Sequence, residues 1–135
     1  MAVKMSVTVR NAVLDAIETA IGTAAVLKIR TGAPPTEIAD VDSGTVLASM
    51  TLETDWMAAA GSGTKAKAGT WADATADNPG TAGHFRIYAS NGTTQHIQGT
   101  VTATGGGGDL TLDNAVIAAG QNVSINTFTL TAPHA

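Results

Sequence analysis

The sequence predicts a mainly β protein: a jelly-roll-like antiparallel β-sandwich with one short N-terminal helix. Three observations predict it. From Gly83 to Thr131 the chain alternates Thr, Val and Ile with polar residues, in short runs broken by Gly and Asn. β-Branched residues at a period of two fit a pleated, half-buried surface. Charged residues make up 13% of the chain and aromatics 4%, so a core must be built from Val, Ile, Leu and Ala. The helical spacing of apolar residues occurs near the N-terminus. A length of 135 residues suits one domain, read as an arm and helix over 1–24 and a β body over 25–135.

Residues 3–9, VKMSVTV, alternate Val3, Met5, Val7 and Val9 against Lys4, Ser6 and Thr8, a short strand or an extended arm. In RNAVLDAIETAIG the residues Val13, Leu14, Ile17 and Ile21 fall at helical spacing, with Asp15 and Glu18 on the other side. Asn11 is the expected N-cap and Gly22 the expected stop. This helix either closes one end of the β body or docks on a partner subunit. Residues 25–31 read as a strand, ended by Gly32-Ala33-Pro34-Pro35 because proline cannot donate to a ladder. A polar loop leads to Ser43, and residues 44–52 read as the next strand. Residues 53–82 are rich in Ala, Gly and Thr. Interleaved Gly and Thr argue against a long helix there despite the helix propensity of alanine, and one or two strands joined by mobile loops are expected. Trp56 and Trp71, the largest apolar side chains, either plug the core or, if exposed, mark an interface.

A hairpin is expected around Asn91. Phe85, Ile87 and Ala89 share one face of its first strand, opposite His84, Arg86 and Tyr88. A three-residue loop, Ser90-Asn91-Gly92, pairs Phe85 with Ile97 and Arg86 with His96 and keeps the faces matched. It also puts Gly92 at a left-handed position. Gly105 to Gly108 reads as a flexible connection. Leu110 and Leu112 begin another strand, and Ala118 to Gln121 turn into the last. Val123 and Ile125 share a phase opposite to Phe128 and Leu130, which predicts a bulge or a move between sheets near Asn126-Thr127. The total is seven or eight strands and one helix, a count that suits a jelly roll.

Little in the chain suits chemistry. The net charge is -4, and seven scattered Lys and Arg make no basic patch for nucleic acid. The absence of cysteine excludes disulfides and thiolate metal sites. The first residues lack the continuous apolar stretch of a signal peptide and no run approaches the length of a membrane span, so synthesis in a cytoplasm and no membrane partner are expected. His84 and His96 with Asp109 or Asp113 are the only metal set worth weighing, and placing His96 opposite Arg86 counts against it. GGGGDL lacks the Lys-Ser/Thr and the following helix of a phosphate loop. Gly61-Ser62-Gly63 lacks the strand–helix context of a nucleophile elbow. Glu18, Glu37 and Glu53 lie in segments of different type, unlike paired catalytic carboxylates. No catalytic residue, cofactor or metal is expected, and the protein is not expected to be an enzyme. A sugar-stacking platform of Trp56, Trp71 and Tyr88 is an alternative use of a β-sandwich.

The segments RNAVLDAI, AVLKIRTGAPP, GTVLASMTL, GTAGHFRIYASNGTTQHIQGTV and LTLDNAVIAAGQNVSINTFTLT together resemble a family of small structural proteins of tailed bacteriophages, in particular the capsid cement, or decoration, proteins. The resemblance spans most of the chain and is a pattern of strands and turns. It implies a jelly-roll body on the outer surface of the capsid in the virion, bound across junctions between subunits of the major capsid protein. Many copies would act together by avidity. Self-association would give a homodimer at two-fold positions, the arrangement favoured here, or a trimer at three-fold positions. The candidate contact residues are Met5, Val7, Val9, Val13 and Ile17 of the arm and helix, with Trp56 and Trp71. They are the apolar residues least needed by the strand core. A tail, baseplate or fibre component is the alternative.

Overall fold

The computed structural model describes residues 3–135. One helix, α1 (Val7–Ile21), precedes ten strands: β1 (Val26–Thr31), β2 (Val46–Thr51), β3 (Thr64–Ala66), β4 (Trp71–Asp73), β5 (Gly80–Tyr88), β6 (Gln95–Ala103), β7 (Leu110–Leu112), β8 (Val116–Ile117), β9 (Val123–Ile125) and β10 (Thr129–Thr131). The main sheet runs β2-β1-β5-β6-β7, with β8 paired to the start of β5. Two short ribbons, β3–β10 and β4–β9, complete the β structure. Leu27, Ile29, Phe85 and Ile87 of the main sheet share one continuous core with Trp71, Val123, Ile125 and Phe128 of the ribbons and their connection. The fold is thus mainly β and sandwich-like, with a single helix. The change of phase after Ile125 is a move between ribbons, because β9 pairs with β4 and β10 with β3.

The helix begins a full turn earlier than its apolar spacing suggests. Val7 and Val9 belong to α1 and not to a strand or separate arm, and Ser6, not Asn11, is the N-cap: its hydroxyl accepts from the Val9 N–H at 3.2 Å. The strand-like alternation of VTV loses to this cap and to Arg10, which is buried and donates to the Ala132 carbonyl at 2.9 Å. Asn11 instead accepts from the Gly63 N–H at 2.8 Å. Gly22 does end the helix, at φ 94°, with its N–H bonded to the Glu18 carbonyl.

The β5–β6 hairpin also differs from expectation. The Ala89 N–H donates to the Thr94 carbonyl at 2.9 Å, so the loop holds four residues, 90–93, and not three. Ile87 pairs with Ile97, Arg86 with Gln98 and Phe85 with Gly99, and His96 is the extra residue at a bulge. Asn91 accounts for the longer loop, since its side-chain Oδ1 accepts from both the Thr93 and Thr94 N–H groups. Glycine opposite Phe85 accounts for the register: a Cβ at residue 99 would lie 2.8 Å from the Phe85 ring. The shift is two residues, so every side chain keeps its face. Gly92 is left-handed, φ 72°, as the turn requires.

Residues 104–109 join β6 to β7, which run parallel. Six residues suffice because β7 starts opposite Val101, only two residues back from the end of β6. The loop expected to be a loose connection follows a hydrogen-bonded path instead. The Gly106 N–H bonds to the Ala103 carbonyl at 2.9 Å and the Gly108 N–H to the Thr102 hydroxyl at 3.0 Å. Left-handed Gly105 and Gly107 let the chain double back.

Candidate functional site

Three polar or apolar arrangements stand out. The first lies on the face of β5 turned away from the core, where the alternation puts His84, Arg86 and Tyr88. All three are buried, because the polar loop over residues 32–43 folds across them. Arg86 Nη1 donates to Asp42 Oδ1 at 2.9 Å and to the Asp40 carbonyl at 2.9 Å. Its Nη2 and Nε donate to Gln98 Oε1 at 2.8 and 3.1 Å. Arg30 Nη2 donates to Asp42 Oδ2 at 2.9 Å and the Tyr88 hydroxyl to Asp42 Oδ1 at 2.7 Å. One carboxylate therefore holds two arginines and a phenol. Burial pushes the Asp42 carboxyl up, but the Tyr88 and Arg86 hydrogen bonds and both guanidinium charges outweigh it and hold it below the ordinary aspartate range. Burial pushes the His84 imidazole down, and the charges of Arg30 and Arg86 add to that against its hydrogen bond to the Gly32 carbonyl. The cluster binds the loop to the sheet.

The second arrangement is centred on Lys65, which is buried. Its ammonium contacts Asp15 at 2.7 Å, Glu18 at 3.0 Å and the Ala58 carbonyl at 2.9 Å, one partner for each of its three protons. Burial alone would lower the Lys65 pKa, but its hydrogen bonds to Asp15 and Glu18 and their charges raise it above the ordinary lysine value. A cavity of about 610 Å³ opens beside these groups, with Asp55 and Met57 in its wall. With every Lys65 proton committed inside the protein, the cavity receives no free donor from it. Among the described residues no three or more His, Cys, Asp or Glu side chains are grouped to hold a metal ion. His84 is buried with Nδ1 2.9 Å from the Gly32 carbonyl, and His96 is exposed at the bulge.

The third arrangement is α1 itself. Its charged and amide side chains are held by partners within the protein: Arg10 by Ala132, Asn11 by Gly63, Asp15 (still 51% exposed) by the Ala60 N–H and Lys65, and Glu18 by the Met57 N–H and Lys65. Leu14 and Ile21 are buried beside them. The outward face carries Val9, Ala12, Val13, Ala16 and Ala20, all exposed, flanked by half-buried Ile17. Ordinary surface helices show the reverse, with charge toward water.

The expected contact residues therefore divide. Val7, Val9 and Val13 are exposed at 51%, 48% and 43%, with Met5 and Ile17 half-buried on the same element or just before it. Trp56 and Trp71 are fully buried and cannot offer a contact surface. Trp56 Nε1 donates to the Gly22 carbonyl at 2.9 Å, and the Trp71 ring packs 6.0 Å from Trp56 and 5.5 Å from Phe128. Tyr88 is buried too, so the sugar-stacking platform is overturned: none of its three aromatics reaches the surface. Val13, one of the expected contact residues, faces water. The inward turn of Asp15 and Glu18 depends on Lys65, fifty residues away, and leaves no local signal.

No protein-family model, curated protein or solved structure shows significant similarity to this chain.

Proposed function

We propose that this chain is a non-enzymatic structural protein of a tailed-phage virion, of the cement type, which binds the outside of the capsid and stabilises contacts between major capsid protein subunits. The observation that carries the reading is the outward face of α1. A helix that directs its carboxylates at a buried lysine and its valines at water presents a surface suited to being covered. The sequence resemblance supplies the kind of assembly. The rest of the molecule agrees with a passive role, since buried Arg30, Lys65 and Arg86 are each paired with a carboxylate and tie loop and helix to the β structure. Many copies on a lattice need only modest contacts each, because avidity multiplies them.

Co-sedimentation with empty expanded capsids, and separately with tails, tests the proposal. Saturable binding to capsids, at a simple fraction of the number of major capsid subunits, is expected. Binding to tails alone would assign the chain to a tail component instead, and binding to neither would overturn the virion reading.

A further inference from the structure

The residue order on the outward face of α1 is symmetric. Its apolar members are Val9, Ala12, Val13, Ala16, Ile17 and Ala20. They fall in pairs about the midpoint between Leu14 and Asp15: Val9 mirrors Ala20, Ala12 mirrors Ile17, and Val13 mirrors Ala16. Every pair joins a bulky residue to an alanine. Two such helices laid antiparallel about that midpoint would set Val9 against Ala20 of the second copy and Val13 against Ala16, with Ala12 on one flank and half-buried Ile17, packed on the core, on the other. Each bulky side chain would meet a small one, the condition for close packing between helices. A parallel pair would set valine on valine and alanine on alanine, crowding some levels and leaving gaps at others. The antiparallel pair also opposes the two helix dipoles.

We propose that the occupant of this face is a second copy of the same chain, docked through α1 as an antiparallel, two-fold helix pair. Charge favours this occupant. Each copy carries a net charge of -4, so two copies repel over most approaches. The strip of Val9, Val13, Ala16 and Ala20 holds no charged residue: Arg10 and Glu18 are turned to internal partners, and Asp15, 51% exposed, lies on another side of the helix beside Lys65. An isologous contact needs a patch that tolerates its own image, and a neutral patch of alternating large and small residues does so.

The area sets the strength. Fifteen residues at about 1.5 Å rise and roughly 10 Å width give a footprint of about 220 Å² per copy. A standard stable interface covers about 800 Å² per partner. An apolar groove of about 340 Å³, walled by Ile17, Ala20, Ile21, His96, Ile97 and Leu130, extends the strip onto β6 and β10. The pair is therefore weak in isolation and forms fully where copies are concentrated. The inference rests on reading α1 as an assembly face, and not on the capsid as the thing assembled.

Sedimentation equilibrium of the purified full chain from about 5 μM to 1 mM tests it, a range that reaches weak association. A reversible monomer–dimer equilibrium is expected, and Ala16→Arg should abolish it with unchanged circular dichroism, since arginine is a good helix former at an exposed site. The native chain lacks cysteine, which permits a second measurement that does not depend on Ala16→Arg folding. Val9→Cys/Ala20→Cys in one chain should form a disulfide-linked dimer under mild oxidation. Each single variant should not, because two residues 9, or two residues 20, would lie about 16 Å apart along the pair and a disulfide spans about 7 Å at most. A native chain that stays monomeric through 1 mM would overturn the proposal. Cross-linking of the single variants as readily as the double would overturn the antiparallel register. Capsid binding by a strictly monomeric chain would sink this inference alone, and dimers that ignore capsids would sink the virion reading alone.

Discussion

Asp42 is the carboxylate shared by Arg30 and Arg86, and replacing it with alanine strips both of their counter-charge. The Arg86 and Arg30 side chains are 0% and 9% exposed, and that of Asp42 is 29% exposed. Breaking a buried ion pair from one side costs about 3–5 kcal/mol, because the remaining charge stays in a poor solvent. The partial exposure of Asp42 lets water replace some of what is lost, so the lower end, about 3 kcal/mol, applies. For 135 residues at roughly 2.1 cal/mol/K each, the unfolding entropy is about 0.28 kcal/mol/K. The expected fall in Tm is therefore about 10 °C, read by calorimetry at pH 7. The pH profile gives a second reading. Asp42 is held below its ordinary value of 3.8, so its stabilisation is full above that pH and is lost as pH falls through the lower folded value. His84 is held below its ordinary 6.5. Below 6.5 the unfolded chain takes up a proton that the folded chain refuses, so stability also declines as pH falls from there. Native Tm should fall in two stages on acidification, and Asp42→Ala should weaken the lower stage and keep the upper. A change in Tm under about 2 °C at pH 7 would refute the view that this cluster holds the loop over the sheet.

Trp71→Ala should cost about 3–5 kcal/mol by emptying the centre of the core, and the native fluorescence should be blue-shifted and resistant to acrylamide, since both indoles are buried. Gly99→Ala should cost about 1–3 kcal/mol in chemical denaturation by forcing a methyl against Phe85 and Asp109. Ser6→Ala should cost about 1 kcal/mol by removing the cap of α1, whereas Asn11→Ala should leave helix initiation unchanged and instead weaken the tie to Gly63.

Features set by local chemistry were legible in the sequence. Gly22 ends the helix, Pro34 and Pro35 follow β1, and the alternation in β5 assigns each side chain to the correct face. The register of the hairpin was not legible, because a slip of two residues preserves the alternation, and only the room needed by the Phe85 ring chooses between the two. The start of α1 was hidden by VTV, whose period suits a strand until Ser6 and Arg10 find their partners. The candidate site divides in the same way. The apolar residues of α1 could be singled out from sequence, but which of them face outward is decided by Lys65 drawing Asp15 and Glu18 to the other side. The burial of Arg86, His84 and Tyr88 depends on the loop over residues 32–43, and no pattern within β5 announces that cover.

The Met5 N–H donates to the His134 carbonyl at 2.8 Å, which places residues from opposite ends of the sequence side by side at the start of α1. A short linker could therefore join them and close the polypeptide into a ring, and the ring could be reopened between Ser90 and Asn91, both exposed in the hairpin loop. Such a permuted chain should keep the core intact while moving both free ends to the far side of β5 and β6. For the native order, a peptide fused after Ala135 and one fused ahead of Met5 would emerge from neighbouring points, so either fusion would probe the same neighbourhood of any assembly the protein enters.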